Sequence, residues 1–257
     1  MADSRRETPA IEARNLSAAY GSHTALRDVS FSIERGCLAG LVGPNGSGKS
    51  TLLRALLGLH KPYQGEVLLF GQRPQSRRSL IGYMPQLEVV DWSFPVTALE
   101  VVLMGRFGRL GLLRRPGKTD REIAMEALQK VGMADHAKRQ IGAMSGGQRQ
   151  RVLLARTLAQ EAEILLMDEP FAGLDSGTQH DILSLFNQLS QAGKTLLVAT
   201  HDLSCVAGSF DHAVFLNRSV VAFGRLPDVF TEEVLNRTFE RHLLLVSVEG
   251  KVYAAHR

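Results

Sequence analysis

A chain of 257 residues is long for one compact domain and short for two ordinary ones, which favours a single domain carrying a sizeable insertion. Hydrophobic residues make up 44% and charged residues 22%, the usage of a globular domain with a large core, which excludes disordered, collagen-like and low-complexity classes. The 30 Lys and Arg against 26 Asp and Glu leave a formal net charge of +4, and the basic residues fall in scattered pairs (Arg5-Arg6, Arg77-Arg78, Arg114-Arg115), a solvated surface more than a nucleic-acid groove.

The two cysteines, Cys37 and Cys205, lie far apart inside apolar runs, so they read as buried thiols of a reducing compartment rather than a disulfide or zinc site. No apolar run follows the basic residues near the N-terminus, and no window reaches ~18 uninterrupted apolar residues. The chain is therefore expected to be neither secreted nor membrane-spanning on its own.

In chain order, Ile11–Ser17 and Val29–Ile33 read as strands around the turn-forming Tyr20-Gly21-Ser22. Cys37–Val42 is a continuous apolar run suited to a fully buried strand; a Gly-rich turn follows, then Thr51–Leu59 with leucines at helical spacing. Gly65–Phe70 and Leu80–Met84 read as strands. From about Gln86 to Leu158 the strand signals stop, and Thr97–Gly105, Asp120–Val131 and Ser145–Ala159 show helical periodicity, which suggests a helical insertion. Alternation resumes with strand Glu163–Asp168, helix Thr178–Gln191 and strand Thr195–Thr200, the order of a parallel sheet with crossover helices. His212–Leu216 with Ser219–Phe223 predicts a terminal strand pair, and Leu243–Val248 with Lys251–Ala254 a final hairpin around Glu249-Gly250.

Gly43-Pro44-Asn45-Gly46-Ser47-Gly48-Lys49-Ser50 fits G-x-x-x-x-G-K-[ST] between an apolar strand and a helix, the setting that a phosphate-binding loop requires. Its glycines let backbone N–H groups approach phosphate oxygens and the helix presents its positive end; Lys49 reaches the β/γ-phosphates and the Ser50 hydroxyl can ligate Mg²⁺. The strand Ile164–Met167 ends in Asp168-Glu169, where a parallel sheet places ligand-facing groups: Asp168 suits the Mg²⁺ shell and Glu169 suits the polarisation of an attacking water.

Met144-Ser145-Gly146-Gly147-Gln148-Arg149-Gln150-Arg151 begins its S-G-G-Q 23 residues before Asp168. With the phosphate loop and the acidic strand end in this order, the chain resembles an ATP-binding cassette (ABC) transporter ATPase over roughly Ile11 to Gly224, Met144 standing where the family usually has Leu. The resemblance implies an α/β fold of the P-loop NTPase, ABC-cassette type: a mainly parallel core at about 11–86 and 159–224, an N-terminal antiparallel β part, a helical subdomain at about 87–158, and an extension at about 225–257, together one ATP-binding domain. It also implies roles. Tyr20 matches the aromatic that stacks on adenine; the phosphate loop, continuing to Thr51, holds ATP; Gln86 approaches Mg²⁺ and the water; His201 senses the γ-phosphate, so Glu169, His201 and Gln86 form the catalytic set. Ser50, Gln86 and Asp168 would hold Mg²⁺. Ser145, Gly146, Gly147, Gln148 and Asp175 would act across a homodimer with ATP between its subunits.

The run Val90-Asp91-Trp92-Ser93-Phe94-Pro95-Val96-Thr97, followed by Val101-Val102-Leu103-Met104-Gly105-Arg106, is similar to the ATPases of manganese, zinc and iron importers, at the place where such subunits receive a helix of the membrane permease. An apolar, Trp-bearing loop suits that task. The implied setting is peripheral, on the cytoplasmic face of the cell membrane, with permease subunits as partners and an extracytoplasmic substrate-binding protein acting indirectly. An importer of another cargo, such as an iron–siderophore or haem, differs only in this loop. A nucleic-acid-linked ABC ATPase would need a long coiled coil or a second cassette, whereas 95 residues without sustained heptads separate Ser50 from Ser145, so no nucleic-acid partner is expected.

Overall fold

The computed structural model describes residues 8–111, 114–240, 243–248 and 251–256; Arg5-Arg6 and the turn expected at Glu249-Gly250 lie outside the described residues. The chain runs β1 (Ile11–Tyr20), β2 (His23–Ile33), β3 (Leu38–Val42), α1 (Lys49–Leu56), β4 (Gln64–Leu69), β5 (Ile81–Met84), α2 (Ala98–Met104), α3 (Phe107–Leu110), α4 (Lys118–Lys130) and α5 (Gly146–Leu158). It continues with β6 (Ile164–Asp168), α6 (Ser176–Gln191), β7 (Thr195–Thr200), α7 (Leu203–Ala207), β8 (His212–Asn217), β9 (Ser219–Arg225), α8 (Leu226–Val229), α9 (Glu232–Phe239), β10 (Leu243–Val248) and β11 (Lys251–His256). Two compact units result, Met1–Arg78 with Ser190–Arg257, and Ser79–Leu189.

In the first unit β1 pairs antiparallel with β2 and with β4, Ile11 facing Ile33 on one side and Leu69 on the other. β2 starts six residues before the strand expected at Val29. The alternation is masked there because Asn15 and Asp28 both sit at φ 47°, and the β1–β2 register shifts between Ala13 and Leu16 and again around Ala18. Such bulges break the period-2 signal without ending the strand. All five residues of β3 are buried, as a strand covered on both faces requires. β3 is parallel to β7 and β8, and β9 closes antiparallel on β8. Leu52, Leu53 and Leu56 of α1 are fully buried with Leu38, Leu41 and Phe215.

The second unit holds β5 parallel to β6, in register from Ile81↔Ile164 to Met84↔Met167, and helices α2, α4 and α5, which pack on one another. The fold is thus α/β with a mostly parallel sheet and an N-terminal antiparallel part, as expected. Helix α9, which no periodicity announced, starts at the cap Thr231, whose Oγ1 accepts from Val234 N at 3.3 Å, with Glu232 and Glu233 in its first turn. Cys205 is buried, and burial pushes its thiol up to about 12; Cys37, just ahead of β3, is only half-buried, contrary to expectation. Both thiols are free.

Arg106 fastens the helical segments. It is 7% exposed; its Nε donates to Asp120 Oδ1 at 3.0 Å, and its Nη1 donates to Ala159 O and Glu161 Oε2, each at 2.7 Å. Arg106→Leu strands these acceptors and should cost on the order of 2 kcal/mol of unfolding free energy. The Gly117 N–H, and after it the Arg106 guanidinium, hold the Asp120 carboxyl below the usual carboxylate range. A carboxyl whose value is lowered by folding stabilises fully above the unfolded value near pH ~4 and loses that contribution as pH falls through the folded value. Asp120→Asn should therefore flatten the fall of melting temperature below about pH 4, which thermal scans against pH would read.

Candidate active site

The first unit carries Tyr20, the phosphate loop and His201. Two glycines of the loop are required by space. A Cβ at Gly43 would collide with the carbonyl oxygen of Leu216, and Gly48, at φ 99°, would place one 2.7 Å from Ala25 O. The loop is pinned by Ser47 N donating to Pro44 O (3.2 Å) and Arg218 N donating to Ser47 O (2.8 Å). α1 begins at Lys49, with Ser50 and Thr51 in its first turn and no acidic residue there. The Lys49 side chain is buried, its Nζ donating to Gly43 O at 2.7 Å and Pro44 O at 3.1 Å. Ser47 is 1% exposed, yet its Oγ has no partner among the described residues. A buried hydroxyl without a partner is costly, so this cradle of N–H groups, one ammonium and one orphaned hydroxyl fits phosphate oxygens. His201 directly follows β7 and is exposed, while its neighbour Asp202 caps α7 by accepting from Ser204 N and Cys205 N.

The second unit carries Gln86, Asp168, Glu169, Ser145–Gln148 and Asp175. Gln86, 82 residues before Asp168, donates through Nε2 to Asp168 Oδ1 at 3.3 Å. Asp168 is 2% exposed, and this pair of hard oxygen-bearing side chains fits Mg²⁺ chemistry. Glu169 leaves β6 at φ 53°, a left-handed conformation uncommon for a residue with a Cβ, and strain of this kind gathers at functional sites. Its carbonyl accepts from Gln150 Nε2 at 2.7 Å. Sequence reasoning missed Gln150, although it stands two residues after the S-G-G-Q segment on the face of α5 that turns inward, 1% exposed.

Ser145 is the N-cap of α5. Its Oγ accepts from Gln148 N (3.3 Å) while Gln148 Oε1 accepts from Ser145 N (3.1 Å), a capping box that fixes the helix start and its free N–H groups. Gly147 packs against Gly173 O, where a Cβ would sit at 3.2 Å, so the signature segment and the segment after the carboxylates lie together. Asp175 accepts from Thr178 N (2.9 Å) and Thr178 Oγ1 (2.7 Å), bonds that hold its carboxyl below the usual range. Trp92 is half-buried and turned inward: its Nε1 donates to Leu87 O at 3.1 Å and the Arg149 guanidinium lies 5.5 Å from its ring centroid. The most open apolar side chains of that loop are Val89 and Phe94, each 63% exposed.

Residues 26–172 match the ABC transporter family. The chain is 48% identical over 229 residues to the manganese transport system ATP-binding protein MntB of Bacillus subtilis, covering 89% of this chain and 92% of that one. It is 45% identical over 239 residues to the zinc transport system ATP-binding protein TroB of Treponema pallidum, covering 93% of this chain and 90% of its relative. A solved ABC transporter of metal-chelate type, in an inward-facing conformation, superposes with a TM-score of 0.83 at 30% identity, covering 96% of each chain. With its phosphate cradle, paired carboxylates and capped S-G-G-Q helix, the chain belongs to the ABC transporter family, as an ATP-binding subunit that hydrolyses ATP.

Proposed function

We propose that this chain energises the import of a transition-metal ion, manganese, zinc or iron. It works as a homodimer beneath integral permease subunits on the cytoplasmic face of the membrane, with an extracytoplasmic substrate-binding protein delivering the cargo. The observation that carries the cargo assignment is the likeness, over nearly the whole chain, to ATP-binding subunits named for manganese and for zinc. Among the described residues no helix is long and apolar enough to cross a membrane, so the permease is a separate chain in this scheme. Residues 1–257 form one cassette, with a core at about 11–86 and 159–224, a helical subdomain at about 87–158 and an extension at about 225–257.

Lys49 and the N–H groups from Gly43 to Thr51 hold the phosphates, and Tyr20 takes the adenine. Ser50, Asp168 and Gln86 hold Mg²⁺, which supplies charge neutralisation to the transferring phosphoryl group. Glu169 orients the water, with the Gln150 bond fixing the main chain beneath it, and His201 contacts the γ-phosphate. Ser145, Gly146, Gly147, Gln148 and Asp175 act on the nucleotide of the second subunit, where the helix start of α5 favours negative charge. Loss of the γ-phosphate removes these contacts and lets the pair open, the switch that the permease reads.

Because Trp92 is tied inward, Val89 and Phe94 are the anchors of the permease seat. Phe94→Ala should weaken co-purification with the permease by about 2 kcal/mol, roughly thirtyfold, as loss of an aromatic anchor does. ATP hydrolysis by the isolated chain should persist. A strain lacking the chain should grow poorly when manganese, zinc or iron is scarce and recover when the limiting ion is added in excess. Normal uptake of all three, with no second importer present, refutes the cargo and leaves the ATPase intact.

A further inference from the structure

Tyr20 ends β1 at the turn Gly21-Ser22, with 45% of it open to solvent. The rest is held from the far end of the phosphate-loop helix. Arg54, the basic residue of the last turn of α1, donates through Nη1 to Tyr20 Oη at 3.3 Å. Beyond the helix, Gly58 at φ 66° reverses the chain, and Leu59 N and His60 N both donate to Arg54 O at 2.9 and 3.2 Å. This brings the His60 imidazole onto the Tyr20 ring, with centroids 4.6 Å apart and planes tilted by 43°. His60 Nε2 is buried and has no hydrogen-bond partner among the described residues, so packing against Tyr20, and not a polar bond at that atom, holds this side of the imidazole.

We propose that His60 is a positioning residue for the nucleobase: it fixes the Tyr20 ring in the orientation on which adenine stacks. The proposal rests on the assignment of Tyr20 to adenine. α1 has eight residues, a rise of roughly 12 Å. Its start holds the phosphates and the segment leaving its end holds the base platform, so one rigid element sets the spacing between the two ends of the nucleotide. An aromatic platform left unsupported would have to be ordered at the moment of binding, at a cost taken from affinity. An aromatic pair in tilted contact removes part of that cost in advance.

The test measures KM and kcat of Mg-ATP hydrolysis for His60→Ala, His60→Phe and Tyr20→Ala, together with the affinity of each for inorganic tripolyphosphate, which has no base. His60→Ala is expected to raise KM for ATP about three- to tenfold with kcat within twofold and tripolyphosphate affinity unchanged, and His60→Phe to restore KM by returning a ring. An unchanged or lowered KM in His60→Ala overturns the proposal, a lowered one meaning that the imidazole competes with adenine for the ring. An equal loss of tripolyphosphate affinity also overturns it, because the damage would then lie in the phosphate loop. Tyr20→Ala separates the layers: a raised KM there with none in His60→Ala defeats only the positioning role, whereas an unchanged KM in Tyr20→Ala defeats the adenine assignment and the proposal with it.

Discussion

Lys49→Ala is expected to lower ATP hydrolysis at least about a hundredfold, the scale on which removal of one preorganised donor from developing negative charge acts. The Lys49 ammonium is buried in the phosphate loop with its hydrogen bonds spent on the Gly43 and Pro44 carbonyls, so it stands at the cradle before phosphate oxygens compete for it. Truncation removes that charge and leaves two main-chain acceptors to be solvated, a cost of about 1–3 kcal/mol that a protein of this size tolerates. Phosphate-release assays and a thermal scan check both halves. Turnover within a few-fold of the parent protein would contradict the assignment of the loop, and loss of the folded state would show that Lys49 is structural.

Glu169→Gln should keep ATP binding while lowering hydrolysis by about a hundred- to ten-thousandfold, the usual range for removal of a general base. The amide preserves size and can still accept one hydrogen bond, and the left-handed main chain at φ 53° stays pinned by Gln150, so the site keeps its shape and loses only the carboxylate. With cleavage blocked, ATP stays between two subunits; light scattering with Mg-ATP should then report a dimer, and a monomer at every concentration would count against the shared site. Ser145→Arg provides the converse. It destroys the capping box at the start of α5 and fills the space the second subunit's γ-phosphate needs, so hydrolysis should fail while one subunit's own ATP affinity stays nearly intact.

The chemistry was legible in the sequence because its carriers are local. The phosphate loop needs consecutive N–H groups and glycines at fixed offsets, and the run from Gly43 to Ser50 supplies them between a buried strand and a helix. The paired acids at the end of β6 and the S-G-G-Q start of α5 are likewise short segments whose meaning survives without knowledge of their neighbours. Order and spacing along the chain were enough to identify the family and the α/β class.

Tertiary packing decided the contacts between residues far apart in sequence, where no periodicity or short spacing carries a signal. It brought Gln86 to Asp168, set Gln150 beneath Glu169, and laid the His60 imidazole on Tyr20. In the apolar loop it tied the Trp92 indole N–H to Leu87 O and set the Arg149 guanidinium against the ring face, while Val89 and Phe94 stay exposed. The junction of the buried Arg106 with Asp120 and the half-exposed Glu161 was invisible for the same reason: a charged residue enters a core only when partners converge on it from several segments, and only the folded chain determines that convergence.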